Sequence, residues 1–139
     1  VQRVRCVIGN GQQFLLVQAN SRRSENVGKW SLPGGRLKAR ETPRAGLRRE
    51  LVEELGFRAP ALVELGDWRA DDEYHRVFGC RVERIAPTLQ ADEILASAWL
   101  DYFDVKQLAI ARQLRWGFEL AAITMFRRAI REPAASSSA

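Results

Sequence analysis

A single histidine, His75, and only two cysteines, Cys6 and Cys80, leave this chain of 139 residues little material for a soft-metal or imidazole site. No second cysteine or histidine stands at ligand spacing, so zinc-type centres are excluded. Each cysteine falls in an apolar, strand-like run and is expected to be a buried free thiol in a reducing compartment, which makes the cytoplasm the expected location. No apolar run approaches the eighteen or so residues of a membrane span, and no signal-peptide pattern is visible. A membrane partner is therefore not expected. Lysine is scarce as well: the 22 Lys and Arg, set against 17 Asp and Glu for a net charge of +5, are nearly all arginine. That balance favours anionic partners, with a phosphorylated small molecule ahead of nucleic acid.

The length fits one domain, expected over residues 1–132, and no internal repeat is present. Residues 133–139 follow Pro133 as a small-residue tail expected to be disordered. A homodimer is left open. Val4 to Ile8 and Phe14 to Val17 read as two strands joined through Gly9-Asn10-Gly11-Gln12, a hairpin signal. Asn20 to Lys29 is polar and reads as an exposed loop, in which Arg22 and Arg23 are candidates for touching a phosphate. Trp30 to Gly35 leads into a Pro-Gly-Gly break. Thr42 can cap a helix that begins at Pro43 and stops at Gly56, with Leu47, Leu51 and Leu55 as its apolar stripe.

Further strands are expected at Ala61 to Trp68, Tyr74 to Glu83 and Ala96 to Leu100, with a helical turn at Tyr102 to Ala109. A long amphipathic helix is expected from Arg112 to Ile130. The order of elements predicts an α/β protein, a mixed sheet sandwiched between helices.

Chemistry concentrates in the Pro43 helix. Glu50, Glu53 and Glu54 fall at i, i+3 and i+4, which places three mutually repelling carboxylates on one helix face, turned away from the leucine stripe. Either that face is solvated and laced with Arg44, Arg48 and Arg49, or a multivalent cation sits on it. Hard Mg2+ prefers carboxylate oxygens, and divalent ions offset the charge of a diphosphate and lower the pKa of water.

The spacing Gly35, five residues, Glu41, seven residues, Arg49-Glu50-Leu51-Val52-Glu53-Glu54-Leu55-Gly56-Phe57 resembles the Nudix box, G-x5-E-x7-R-E-U-x-E-E-x-G-U with U a bulky apolar residue. Every defined position is matched, and Trp30-Ser31-Leu32-Pro33-Gly34 is similar to the usual lead-in. The resemblance implies the Nudix fold and an Mg2+-dependent hydrolase of phosphoric anhydrides, with Mn2+ able to substitute. It also implies roles. Glu53 and Glu54 would be metal ligands, Glu50 a further ligand or the residue that helps deprotonate water, and the Gly35 carbonyl another ligand. Arg49 would orient a glutamate, and Glu41 would support the loop or a second metal.

Some relatives draw a further glutamate from just before a downstream tryptophan, but Ala98 precedes Trp99 here. Glu93 is the nearest candidate base, with Asp92, Asp71, Asp72 and Glu73 as loop alternatives. Tyr74, at a distance from the box where relatives acting on dinucleoside polyphosphates carry tyrosine, and Arg76 are candidate substrate contacts. His75 reads as structural. Trp30, Trp68 or Trp99 could stack a base, although tryptophans in a small domain are mostly core residues.

The expected activity is hydrolysis of a nucleoside diphosphate linked to another moiety, such as a dinucleoside polyphosphate or nucleotide sugar. The alternative is a nucleoside triphosphate pyrophosphohydrolase that cleans the nucleotide pool. A third reading, a nucleotide-sensing Nudix domain without turnover, usually goes with an eroded box, whereas this box is intact.

Overall fold

The computed structural model describes residues 1–19, 24–83, 87–88 and 94–131. Strands β1 (Arg3–Gly9) and β2 (Gln13–Ala19) form the expected hairpin. Its turn is held by the Asn10 side-chain oxygen, which accepts from Gln12 N and Gln13 N at 2.9 Å each. Short strands β3 (Trp30–Ser31) and β4 (Gly34–Arg36) follow, then helix α1 (Pro43–Leu55). Beyond it come β5 (Val63–Ala70), β6 (Glu73–Arg81), β7 (Ile94–Asp101), α2 (Tyr102–Ile110) and α3 (Glu119–Arg131). All seven strands belong to one sheet, in the order β3-β2-β1-β6-β5, with β4 added to β1 and β7 added to β2. The β1–β6 pair is parallel and the other pairs are antiparallel, so the sheet is mixed.

Strand alternation divides the core in two. Val4, Cys6 and Ile8 of β1 pack with Leu47, Leu51 and Leu55 of α1 in one cluster. Val7, with Phe14 and Leu16 of β2, packs with Val105 of α2 and Ala122, Ile123 and Phe126 of α3 in the other. Helices thus cover both faces, as the α/β reading requires. The α1 stripe works as the sequence indicates: each buried leucine contributes about 2 kcal/mol, enough to fix which way the rest of the helix faces. Its ends are capped by Thr42, whose hydroxyl accepts from Ala45 N at 3.2 Å, and by Gly56, left-handed at φ 63°. Cys6 and Cys80 are free, buried thiols.

Two expectations about elements change. The break between β5 and β6 is tighter than its polar composition suggests, because Asp71 (φ 51°) and Asp72 (φ 61°) both adopt left-handed conformations, those of a two-residue hairpin turn. As a result β5 extends to Ala70. The last helix begins at Glu119, not Arg112. Residues 113–115 instead strap Trp30, which donates to Gln113 O and accepts from Arg115 N at 2.8 Å each. Gly117 is left-handed (φ 96°), and the Glu119 carboxylate accepts from Trp116 N (2.9 Å) and Gly117 N (2.8 Å), which starts the helix there. The expected tail lies outside the described residues.

His75 on β6 is fully buried against Trp116 and Phe118, with ring centroids 4.5 and 5.0 Å away. Burial first, then the nearby Arg5 and Arg3, press its pKa down to about 4. A folded pKa below the unfolded value means that the unfolded chain binds the proton first. Stability is therefore full above about pH 6.5 and is lost as pH falls towards 4, by up to about 3 kcal/mol. Glu119, whose carboxyl burial holds above its ordinary range, acts in the opposite sense. The informative quantity is thus the difference between proteins: His75→Leu should lose less stability than wild type between pH 6.5 and 5 in urea titrations. Parallel pH profiles would refute this assignment.

Candidate active site

The site is assembled where β4 meets α1. Gly35 stands opposite Val4 of β1, and a Cβ on it would lie 2.5–2.6 Å from the Glu50 carboxyl atoms. Only glycine lets the β4 backbone approach that carboxylate so closely. Arg49 organises the acids. Its Nε and Nη2 donate to the two oxygens of Glu41 at 2.6 and 2.9 Å, and its Nη1 donates to Glu50 at 3.1 Å and Glu53 at 3.0 Å. A guanidinium suits this role because its planar fork matches a carboxylate with two parallel bonds. Hydrogen bonds from Arg49, then from the Lys38 backbone N–H, draw the Glu41 pKa down to about 2. Glu41 is thus a permanently charged brace for Arg49, its acid partners lying on the adjoining turn.

The sequence places three carboxylates together on an open face, and the structure corrects this. The Glu53 side chain is 47% exposed, that of Glu50 only 13%, and Glu54 is buried. The physical reason is the 3.6-residue period, which sets Glu54 at the border of the leucine stripe, one turn on from Leu51. There it accepts from Gly34 N at 3.2 Å. Arg44 and Arg48 do not lace the acids. They donate instead to Leu62 O (2.6 Å) and Ala59 O, tying α1 to the following loop.

As placed, no three acidic, histidine or cysteine side chains among the described residues converge on one point. The donor chemistry nevertheless suits a hard divalent cation: carboxylate oxygens on one helix, a glycine backbone pressed against one of them, and no competing soft ligand.

Beside these acids opens a cleft of about 230 Å3, lined by Gly34, Gly35 and Glu54 together with Arg115, Trp116 and Arg5, the register partner of Gly34. Of the other expected contacts, Tyr74 and Arg76 are absent from the described lining. Tyr74 stacks under Arg69, and Arg76 is held by Asp67 at 2.9 and 3.1 Å and by Glu64 at 3.2 Å. Alternation along β6 turns both to the α1 side of the sheet, whereas Arg3 and Arg5 of β1 face the other way.

Among the loop acids, Asp71 and Asp72 pair with Arg115 and Arg69, and Glu73 is held below its usual range, chiefly by Arg3 and then by Arg36. Arg22, Arg23, Asp92 and Glu93 lie outside the described residues. Trp68 stacks on Phe118 at 6.0 Å, while Trp30 and Trp99 pack against the two core clusters.

The sequence reading missed Arg5 and Trp116. The signal was present for Arg5, an arginine inside the otherwise β-branched first strand, but alternation alone does not show what covers that face.

The NUDIX domain model matches residues 1–119. A Mycobacterium tuberculosis protein provisionally named 8-oxo-dGTP diphosphatase 2 is 48% identical over 58 residues, 42% of this chain and 40% of that protein. A Bacillus subtilis protein provisionally named 8-oxo-dGTP diphosphatase is 34% identical over 76 residues, 52% of this chain and 48% of that one. The chain thus matches less than half the length of either relative.

Among solved structures, the NUDIX domain of Shewanella oneidensis NrtR, complexed with ADP ribose, superposes with a TM-score of 0.74 at 20% identity, covering 92% of this chain and 86% of that one. The solution structure of the E. coli ORF135 protein gives 0.63 at 25% identity, covering 95% and 92%. These likenesses speak to the fold. With the family model spanning most of its length and the box geometry assembled around Arg49, the chain belongs to the NUDIX domain family.

Proposed function

We propose that this chain is a divalent-metal-dependent pyrophosphohydrolase that cleaves a nucleoside triphosphate to a monophosphate and pyrophosphate. The observation that carries the hydrolase reading is Arg49, whose single guanidinium binds Glu41, Glu50 and Glu53 together beside an arginine-walled cleft. A helix that merely solvated its acids would have no use for a buttress tied back to a loop eight residues earlier.

Mg2+ or Mn2+ would be held by carboxylates of Glu50, Glu53 and Glu54 with the Gly35 carbonyl, and would offset the charge of the phosphoryl oxygens. The chain's own residues do the rest. Arg49 and Glu41 hold Glu50 and Glu53 at fixed height on α1, the Gly34 N–H orients Glu54, and Glu50 and Glu93 are the candidates for accepting the proton of the attacking water.

The names of the Mycobacterium and Bacillus relatives favour a triphosphate over the linked nucleoside diphosphate expected from sequence. The test is product analysis after incubating the protein and Mg2+ with a panel of nucleoside triphosphates, 8-oxo-dGTP, nucleotide sugars and dinucleoside polyphosphates. Monophosphate plus pyrophosphate from triphosphates is the expected result. Monophosphate plus a phosphorylated sugar or nucleotide, from linked diphosphates alone, would restore the other reading. No product from any member would leave only the nucleotide-sensing one.

A further inference from the structure

Strand β1 changes partner along one edge. It pairs with β2 at Gly9 and Phe14 and with β4 from Arg3 to Arg5, so β2 and β4 part from each other as a fork. The cleft takes residues from all three strands: Val17 of β2, Arg3 and Arg5 of β1, and Gly34 and Gly35 of β4. Within it Arg5 is the register partner of Gly34, whose N–H is given to Glu54, and the next residue, Gly35, is pressed against Glu50. Glu54 is accordingly the carboxylate whose field acts most strongly on Arg5, with Glu119 and Glu50 behind it. A guanidinium therefore stands within the field of carboxylates that would hold a cation.

The contacts of Arg5 do not account for it. The residue is only 6% exposed, its Nε has no hydrogen-bond partner among the described residues, and its Nη1 makes one long bond to Leu32 O at 3.4 Å. Its neighbours in the cleft are better served. Arg3 donates to Glu73 at 2.9 Å, and Arg115 pairs with Asp71 at 3.4 Å and lies 3.8 Å from the Trp116 ring centroid. A buried donor left open is expensive, and in a cleft wall a bound acceptor removes that cost.

The charge of that acceptor follows from a conflict at the same place. A guanidinium and a divalent cation that draw on the same carboxylates repel each other, so Arg5 weakens the cation site while no anion is bound. A neutral acceptor would satisfy Nε but leave this repulsion in place. A phosphate oxygen does both, because it lies between two positive centres and gives Nε a charged partner.

Resting on the reading of this site as one that holds a divalent cation and a diphosphate, we propose that Arg5 binds a phosphoryl oxygen through Nε and so couples the two ligands. It opposes the cation alone and favours the cation together with the diphosphate, which makes occupation of the metal site depend on substrate.

The test measures binding of Mn2+ and of methylenediphosphonate, a diphosphate analogue whose carbon bridge resists hydrolysis, so turnover plays no part. In calorimetric titrations Arg5→Met should bind Mn2+ alone about 3-fold or more tighter than wild type. The Mn2+-saturated variant should bind methylenediphosphonate about 10-fold or more weaker, the level expected for a lost hydrogen bond between charged groups. Arg5→Lys restores the charge that opposes the cation, and should return the affinity for Mn2+ alone to within about 2-fold of wild type. A merely structural role for Arg5 would weaken both ligands together.

A further readout needs no variant. In wild-type protein loaded with Mg2+, the proton resonance of the Arg5 Nε–H should move downfield on addition of methylenediphosphonate, while that of Arg3, already given to Glu73, stays in place. Affinities of Arg5→Met that move in the same direction, or do not move, overturn the proposal. If neither variant folds, an Arg5 resonance that ignores methylenediphosphonate overturns it. Wild-type protein that binds no Mn2+ would remove the metal-dependent reading and this coupling with it. Coupled binding in a protein that hydrolyses nothing would remove the hydrolase reading and leave this one standing.

Discussion

Glu53→Gln is expected to lower kcat by about two to four orders of magnitude while the thermal midpoint stays within a degree or two of wild type. The two halves of this expectation have separate causes. Glu53 is the most exposed of the three helix carboxylates, and its one described partner is Arg49, at 3.0 Å, an i, i+4 pair. Exposed pairs of this kind contribute a few tenths of a kcal/mol, and glutamine keeps the shape and helix propensity, so the fold has little to lose. The chemistry loses a negative charge at the point where a divalent cation must be held against a polyanion. A neutral amide oxygen is a far poorer ligand for Mg2+.

The contrast with Glu54→Gln is informative. Glu54 is buried and accepts from Gly34 N, so its loss should lower both activity and stability. Steady-state kinetics, thermal melts and a direct Mn2+ titration of each variant separate the effects. An unchanged kcat and Mn2+ affinity for Glu53→Gln would refute its role as a ligand.

What made Glu53 legible from sequence also explains what stayed hidden. Helix α1 announces itself through local signals: Thr42 and Pro43 at its start, Gly56 at its end, and leucines one turn apart. Each acts within a few residues of chain, where spacing and geometry are nearly the same thing. The exposure of each glutamate is not local. Glu54 is buried because its position on the helix circumference meets β4, and that depends on β4 pairing with β1 some thirty residues earlier.

The start of the last helix escapes the sequence for a related reason. Leu114, Phe118, Ala121 and Ala122 carry a helical period, yet left-handed Gly117 and the Glu119 carboxylate over Trp116 N and Gly117 N delay the helix to Glu119. That delay puts Trp116 against Arg5. A core face can be read from the alternation of β1, but what lies across from Arg5 is set by a segment more than a hundred residues away.

Gly34→Ala should be the most damaging single-methyl change in the site, lowering stability by about 3 kcal/mol or more and, with it, cation affinity and kcat. Gly34 lies at φ 150°, and a Cβ there would sit 2.0 Å from Val4 O and 2.8 Å from Arg5 Cα. Both are backbone atoms of a central strand, so neither can swing aside as a side chain could. The only relief is to part β4 from β1, which undoes three consequences of that pairing at once. The Gly34 N–H leaves Glu54, the Gly35 backbone withdraws from Glu50, and Arg5, opposite Gly34 in the register, loses its place in the cleft.

Gly28→Ala is the fitting control, because Gly28 is also left-handed (φ 83°) but nothing lies within 4 Å of where its Cβ would be. It should cost about 1 kcal/mol, the backbone preference alone. For a chain of this length the difference corresponds to a melting temperature lower by roughly 5–10 °C for Gly34→Ala than for Gly28→Ala. Equal melting temperatures for the two variants would mean that β4 can leave β1 freely. The site would then have to be held by α1 alone, with Arg49 as its only brace.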